Sequence, residues 1–426
     1  MANKIRRPEV ILEQDKYKVI GTNPIRHDGV DKVTGRAAYG ADINPAGLLH
    51  GKLLRSPHAH AIIKSIDTTI AESMPGVKGI VTYLDLPHTK PAEMADYGLG
   101  PMNLKYIREN VLAARKVLYV GHAVAGIAAD NPHIAEEALK SIKVEYEILP
   151  SVTNAPKAMT EDAPILHEDL RTQKFGSVED GLTNVSQHYK HTLGNIDKAF
   201  NDSHLVIEKE FNTSMIHQGY IEPMNVTAFW NKDGRIHIWT STQGPFEVRR
   251  AMAICLNIAV SKIKVVPMEI GGGFGGKFPL YHEPVAALLS KITGNPVKIV
   301  MTRKEVFQGT GPTSGSYLKI KMGVDREGNF TAAQAYMAYE AGAFPGSPVD
   351  IAAQYAFAPY NIPNIMIDGY DVVVNKPKAG AYRAPGATNA AFAIETVVDE
   401  LSVKLDMNPL QFRIKNVADD RTRSVT

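Results

Sequence analysis

Cysteine is almost missing: the 426-residue chain holds one, Cys255. A disulfide framework, a cysteine-based zinc site and an iron–sulfur cluster carried within this chain each need several, so all three are excluded. Cys255 lies in AMAICLNIAV, whose apolar spacing is helical, so it is read as a buried core thiol rather than a nucleophile. A surplus of either charge is missing too: 47 basic residues stand against 45 acidic ones, for a net charge of +2. That balance gives no electrostatic reason to expect nucleic acid or an anionic membrane as partner. The opening MANKIRRPEVILEQDKYK has positive charge but no apolar core, unlike a signal peptide. No stretch approaches the roughly 18 apolar residues of a membrane span. A cytoplasmic protein is the expectation. Internal repeats and low-complexity tracts are also missing.

The apolar fraction, 44%, and the charged fraction, 22%, are those of a folded chain long enough for two or three domains. Residues 1–24 read as an extension. From residue 25 to 150 the pattern is α+β. Strand material runs from Leu49 to Ile66, then a short helix, a Pro75-Gly76 turn and a strand over 71–82. KVLYV and AVAGIAA flank Gly121-His122 as two more strands. Asn131 caps a helix with Pro132 at its first position and Ile134, Ala138, Leu139 and Ile142 as its buried stripe. KVEYEIL, 143–149, closes the unit. Residues 151–192 are polar and aperiodic, and read as a surface connection or interdomain belt. The second unit, 193–418, shows strands at Leu205–Phe211, Asn225–Trp230 and Ile236–Ser241. Further on come a helix Phe246–Leu256 and a strand Ile263–Val266. Helix Pro284–Ile292, strand Val297–Thr302 and strand Thr331–Tyr339 follow. A last helix, about Thr388 to Leu405, carries Phe392, Ile394, Val397, Val398 and Leu401. Residues 419–426 read as a polar tail.

The second unit is organised around Glu269-Ile-Gly-Gly-Gly-Phe-Gly-Gly-Lys277-Phe278, which packs five glycines into Gly271–Gly276. A strand, a glycine loop and a helix in succession can turn backbone N–H groups toward an anion. Gly271, Gly273 and Gly276 fit the dinucleotide pattern G-x-G-x-x-G, but residues 291–300, KITGNPVKIV, lack the carboxylate that would hold a ribose. Gly271–Lys277 fits the phosphate-loop pattern, but Phe278 stands where a magnesium-binding hydroxyl belongs.

Other motifs give a third reading. IRHDGVDKVTGRAAYGADI, LLRSPHAHAIIKSID, HQGYIEPMN (217–225), WTSTQGPF (239–246), MEIGGGFGGKFPLYHEPVAALLSKITGNPVKIVMTRKEVF and KAGAYRAPGATNAAFAIETVVDELSVKLDMNPLQFRIKN occur in this order. Over residues 25–416 the chain resembles the molybdenum-cofactor subunit of the xanthine dehydrogenase/aldehyde oxidase family, and looks like the N-terminal part of a split large subunit. The resemblance implies a multidomain α+β fold: a hammerhead α/β domain, then the first molybdopterin-binding domain.

It also implies roles. Gln243 matches the glutamine that hydrogen-bonds an oxygen on the metal, in a catalytic and cofactor-binding place. Gly273, Phe274 and Gly275 match the loop beside the metal. Arg383 and Ala384 match the arginine near the dithiolene and the backbone after it. Glycine permits such an approach, and a guanidinium suits an oxo or phosphate group. Taken singly, Gln243 reads as a polar strand end and Arg383 as a surface ion pair. Tyr382 and Phe392 read as core. His217, Gln218 and Glu222 read as a channel lining or as a buried hydrogen-bonded set. No metal ligand is named within the chain.

The cofactor implied is a molybdenum–pyranopterin (molybdopterin), in mononucleotide or cytosine dinucleotide form. Iron–sulfur clusters and FAD are expected on partner subunits. The partners implied are a second molybdopterin-binding subunit, an iron–sulfur subunit, a flavin subunit and a small-molecule substrate. The reaction implied is hydroxylation of an aromatic, N-heterocyclic or aldehyde carbon with water, the cofactor carrying the redox chemistry. The chain is expected to stop where the family's second cofactor domain begins. The family's general base has no match here and is expected on a partner chain. Purine-oxidising members carry a glutamate where this chain has Phe278 and an arginine at Ile351; carbon-monoxide-oxidising members carry a cysteine at Ala384. Phe278, Tyr281 and Phe344 are expected to wall an aromatic pocket. The alternative is a non-catalytic subunit of the same fold that serves assembly or scaffolding.

Overall fold

A computed structural model of the chain describes residues 18–90, 93–96 and 101–418. Most of the expected extension, residues 1–17, and the expected tail, 419–426, lie outside the described residues. The architecture is α+β, as expected, and rests on two seven-stranded sheets with smaller three- and two-stranded ones.

The first large sheet runs Ile263–Pro267, Ile236–Thr240, Asn225–Trp230, Val297–Val300, Leu49–Arg55, Ala123–Ala129, Val77–Thr82. Three of its strands come from the N-terminal unit and four from the second. The seam is the parallel pairing of Leu49–Gly51 with Val297–Ile299. AVAGIAA is buried at every position, as a strand covered on both faces must be. Helix Pro132–Ser141 lies on one face: Asn131 accepts from Ile134 N, Pro132 opens the first turn, and Ala135 and Ala138 are buried. Helix Glu283–Thr293 lies on the other, with Glu283 to Ser290 all buried. A Cβ on Gly126 would stand 2.4 Å from Val285 Cγ1, so glycine in that strand lets helix and sheet approach.

The run Leu49–Ile66 is not one strand. Leu49–Arg55 joins the large sheet, while Ala61–Asp67 joins a three-stranded sheet with Lys116–Val117 and Lys143–Ile148. The break follows Ser56, whose hydroxyl accepts from His58 N and whose N–H reaches His122 O. A side chain that competes for backbone donors turns the chain there.

The second sheet runs Ser177–Val178, Gln173–Lys174, Val185–Leu193, Ile365–Val373, Phe330–Gly342, Ser316–Val324, Leu205–Thr213. Its strand Val185–Leu193 corrects the aperiodic reading of 151–192: it pairs along its length with Ile365–Val373. The rest of that segment is a packed belt in which Val152, Ala155, Leu166 and Leu170 are buried. Helix Ala387–Lys404 covers the sheet through Ile394, Val397, Val398 and Leu401. Phe392 departs from the expected core: it is 55% exposed and meets Phe211 edge-on, with ring centroids 5.6 Å apart. Cys255 is fully buried, as expected, and burial raises its thiol to about 12. No described helix is long and apolar enough to cross a membrane.

Belt, N-terminal unit and second sheet meet around two buried histidines. His122 accepts from Leu118 N at 3.2 Å and donates to Glu109 O at 2.7 Å; His167 donates to Ala343 O at 2.7 Å. Burial lowers each to about 4. The unfolded chain, with histidines near the ordinary value of about 6.5, binds these protons first. Stability is therefore complete above about pH 6.5 and is lost as pH falls from there toward 4. A thermal-melt series between pH 7.5 and 4.5 is expected to show the midpoint falling, and His122→Gln with His167→Gln to flatten the fall. An unchanged slope in the double variant would remove this assignment.

Candidate functional site

Strand Ile236–Thr240 delivers Ser241, Thr242 and Gln243 at its end, and its parallel neighbour Ile263–Pro267 leads into the glycine run. Parallel neighbours finish at the same sheet edge, so Gln243 and the loop emerge together. Gln243 Oε1 accepts from Gly275 N at 2.8 Å and from Lys277 N at 3.3 Å, while Gln243 N donates to Lys277 O at 3.0 Å. A Cβ on Gly273 would fall 2.4 Å from Gln243 Oε1. Gly275 has φ +103°, and a Cβ there would fall 2.6 Å from Ala381 O. The two loops are tied where Arg383 N donates to Phe274 O at 2.9 Å. Phe274 and Ala384, on opposite sides of that bond, have φ +52° and +60°. Such conformations cost about 1–3 kcal/mol each outside glycine and cluster at ligand sites. Phe274 is half exposed. Arg383 and Ala384 are exposed, and Arg383 makes no ion pair among the described residues.

Beneath this surface the polar residues of HQGYIEPMN are hydrogen-bonded, with Gln218 buried and His217 and Glu222 partly so. Gln218 Nε2 donates to Ala381 O at 2.7 Å and Gly311 O at 3.0 Å. His217 accepts from Gly219 N at 3.0 Å and faces Thr310 Oγ1 at 2.8 Å, and burial lowers it to about 4. Glu222 Oε2 accepts from Gly271 N, Ser241 Oγ and Lys277 Nζ, each at 2.7 Å. Burial opposes ionisation of Glu222, but these donors outweigh it and hold the carboxyl below its usual range.

Two expectations change. The loop does not lead straight into a helix, and Gly271, Gly275, Gly276 and Lys277 spend their N–H groups on Glu222, Gln243 and Gly273 O. The next helix begins only at Glu283, whose carboxylate accepts from Tyr281 N and His282 N and blocks that end. Lys277 is paired inward, so the phosphate-loop reading fails on geometry as well as on Phe278. The aromatic pocket changes as well. Phe278 is partly open and packs on Gly244. Tyr281 is buried, with its hydroxyl accepting from Gly311 N at 2.9 Å and its pKa raised well above the ordinary value by burial. Phe344 is fully buried against Tyr106, His122 and His167. Both rings are enclosed because each bridges packed elements, and neither offers a wall. A groove of about 590 Å³ passes His217, Phe307 and the Glu340–Lys376 pair, and none of the loop residues above lines it.

The molybdopterin cofactor-binding domain family matches residues 178–417, and the α/β hammerhead domain of aldehyde oxidase and xanthine dehydrogenase matches 34–150. The chain belongs to the molybdopterin-binding aldehyde oxidase and xanthine dehydrogenase family. It is 30% identical to the nicotinate dehydrogenase large molybdopterin subunit of Eubacterium barkeri, over 94% of this chain and 89% of that one. It is 34% identical to a probable xanthine dehydrogenase subunit of Bacillus subtilis, over 92% of this chain and 50% of that one. The structure of quinoline 2-oxidoreductase from Pseudomonas putida 86 superposes with a TM-score of 0.84 at 29% identity, over 95% of this chain and 51% of that one. The chain thus spans about half the length of most relatives it matches.

The residues present fit the family's cofactor. Gly273 and Gly275 let the glycine run lie directly against Gln243 and Ala381, where any Cβ would collide, and so keep Phe274 at the surface beside Arg383. The exposed guanidinium of Arg383 has its charge available to an oxo or phosphate group. Among the described residues, no group of three or more His, Cys, Asp or Glu could hold a metal ion.

Proposed function

We propose that this chain forms one wall of the active site of a molybdenum hydroxylase. The carrying observation is the bond from Arg383 N to Phe274 O. It sets an exposed arginine, a half-exposed phenylalanine and the Gln243-bound glycine run on one surface from loops more than a hundred residues apart. In this reading Gln243, Gly273, Phe274, Gly275, Arg383 and Ala384 hold molybdopterin, which supplies the redox chemistry and activates water when bound. The chain's own part is to orient. Gln243 already gives its oxygen to two loop amides, so its role is to fix the loop and to present its amide N–H₂ outward. Arg383 offers charge, and Phe278 beside Gly244 gives an apolar flank.

Residues 25–150 are the hammerhead unit and 193–418 the cofactor unit of this reading, although they share a sheet. The general base, the remaining cofactor contacts, the iron–sulfur clusters and the flavin are assigned to other polypeptide. Exposed Phe274 in the loop and exposed Ile221, next to the Glu222 that binds Gly271 N, support a covered face there, since apolar surface beside a site marks an interface. The substrate class is an aromatic or N-heterocyclic compound or an aldehyde. Phe278 in place of a glutamate supports this reading, as do two relatives whose names carry N-heterocycles, nicotinate and quinoline.

The test is elemental analysis of the complex that co-purifies with this chain after cofactor-replete expression, followed by a substrate screen with a dye acceptor. About one molybdenum per complex is expected, with turnover of an N-heterocycle or aldehyde. No molybdenum would reject the reading and leave an assembly subunit of the same fold.

A further inference from the structure

We propose that the buried Glu222–Lys277 pair is the positioning device of the cofactor wall, with both residues acting through the glycine loop rather than on substrate. The proposal rests on the reading of the two loops as that wall. One carboxylate oxygen, Glu222 Oε2, receives three donors: Gly271 N at the start of the loop, Lys277 Nζ at its end, and Ser241 Oγ two residues before Gln243. The other oxygen takes Asn225 Nδ2 at 2.9 Å. Both ends of the loop and the strand that carries Gln243 are therefore pinned to a single atom.

Lys277 is satisfied as completely. Its ammonium meets Glu222 Oε2 at 2.7 Å and Ser241 Oγ at 2.7 Å, and stands 4.8 Å from the centre of the Tyr220 ring. Its side chain has no exposed surface. Such a pair is a poor source of stability, because desolvating two charges offsets their attraction. What it does supply is register. Between its pinned ends the loop must place Gly275 N and Lys277 N on Gln243 Oε1 and hold Phe274 at positive φ. A loop with bare glycines at 271–273, 275 and 276 has many other conformations to occupy. Pinning its ends removes them before a cofactor arrives, which is how a site is preorganised.

The test compares Glu222→Gln, Lys277→Met and the double variant in the purified complex. Each single variant leaves one charge of the pair without its counter-ion. Faster amide hydrogen exchange across 271–277, by about tenfold, is expected, with lower molybdenum content and a lower thermal midpoint. In the fraction that keeps the metal, the Mo(V) paramagnetic resonance signal is expected to shift, and kcat to fall more than KM changes. The double variant removes both charges together, so its thermal midpoint returns toward that of the parent while exchange stays fast and the signal stays shifted. If the double variant regains both stability and the parent exchange and signal, the pair is merely structural and the proposal fails. If the parent complex holds no molybdenum, the reading of the wall falls by itself. The exchange arm still decides whether the pair holds the loop.

Discussion

Gly275→Val is expected to strip the complex of most of its molybdenum while leaving the chain folded. The new Cβ would meet backbone, Ala381 O at 2.6 Å and Ala381 C at 2.8 Å, so no flexible side chain can move aside. The position also has φ +103°, which a β-branched residue does not tolerate. The two penalties add to roughly 3 kcal/mol or more, which is over a hundredfold in the population of the ordered wall. Relieving the clash moves the loop away from Ala381 and strains the neighbouring Arg383 N–Phe274 O bond that joins the two halves of the site. The control is Gly176→Ala, at a glycine with φ +77° and nothing within 4 Å of the added Cβ. It is expected to cost a fraction of that and to leave molybdenum content unchanged. Metal analysis with circular dichroism checks both. A Gly275→Val complex with full molybdenum would show that the loops do not need their contact to hold the cofactor.

Arg108→Ala is expected to have the largest effect on stability alone. Arg108 is 1% exposed, and its hydrogen-bond partners among the described residues are carbonyls and a hydroxyl: Cys255 O at 2.9 Å, Ile254 O at 3.3 Å, His88 O at 3.1 Å and Thr89 Oγ1 at 2.7 Å. Two of these carbonyls end helix Pro245–Leu256, where a cation also meets the negative end of the helix dipole. The guanidinium joins a helix of the N-terminal unit to one of the cofactor unit. Truncation leaves a cavity and several buried acceptors unpaired, at a cost of about 3–5 kcal/mol. Arg108→Lys keeps the charge without the planar fork and is expected to recover only part of this. Thermal and urea unfolding midpoints of the three proteins give the order. An Arg108→Ala midpoint equal to the parent's would show that the junction does not depend on this residue.

Helices with local signals are legible in the chain. Asn131-Pro132 caps and opens Pro132–Ser141, and Pro284 lies in the first turn of Glu283–Thr293, because capping and proline geometry act within a few residues. Strands whose partners lie far away are less so. Val185–Leu193 takes its order from Ile365–Val373, about 180 residues on, and neither periodicity nor turn residues announce such a pairing. The split of Leu49–Ile66 between two sheets is hidden for the same reason, since both halves are good strand sequence.

At the site, the motifs single out Gln243, Phe274, Gly275 and Arg383, and the fold brings them together. The expected aromatic pocket overreaches at Tyr281 and Phe344, whose rings are spent on packing. They also give no hint that Lys277 turns inward, because its partner Glu222 is 55 residues earlier.

By itself the amino-acid sequence determined the family resemblance, the α+β class, the locally capped helices and the lack of an internal iron–sulfur relay. Each of these rests on residue identity or on spacing over a few turns of chain. Only the tertiary structure decided that one sheet runs through both units, and that the N–H groups of Gly271, Gly275, Gly276 and Lys277 are spent within the protein. It also decided that a single carboxylate oxygen holds the loop at both ends. These depend on where distant segments meet, and burial sets the strength of every polar contact made there.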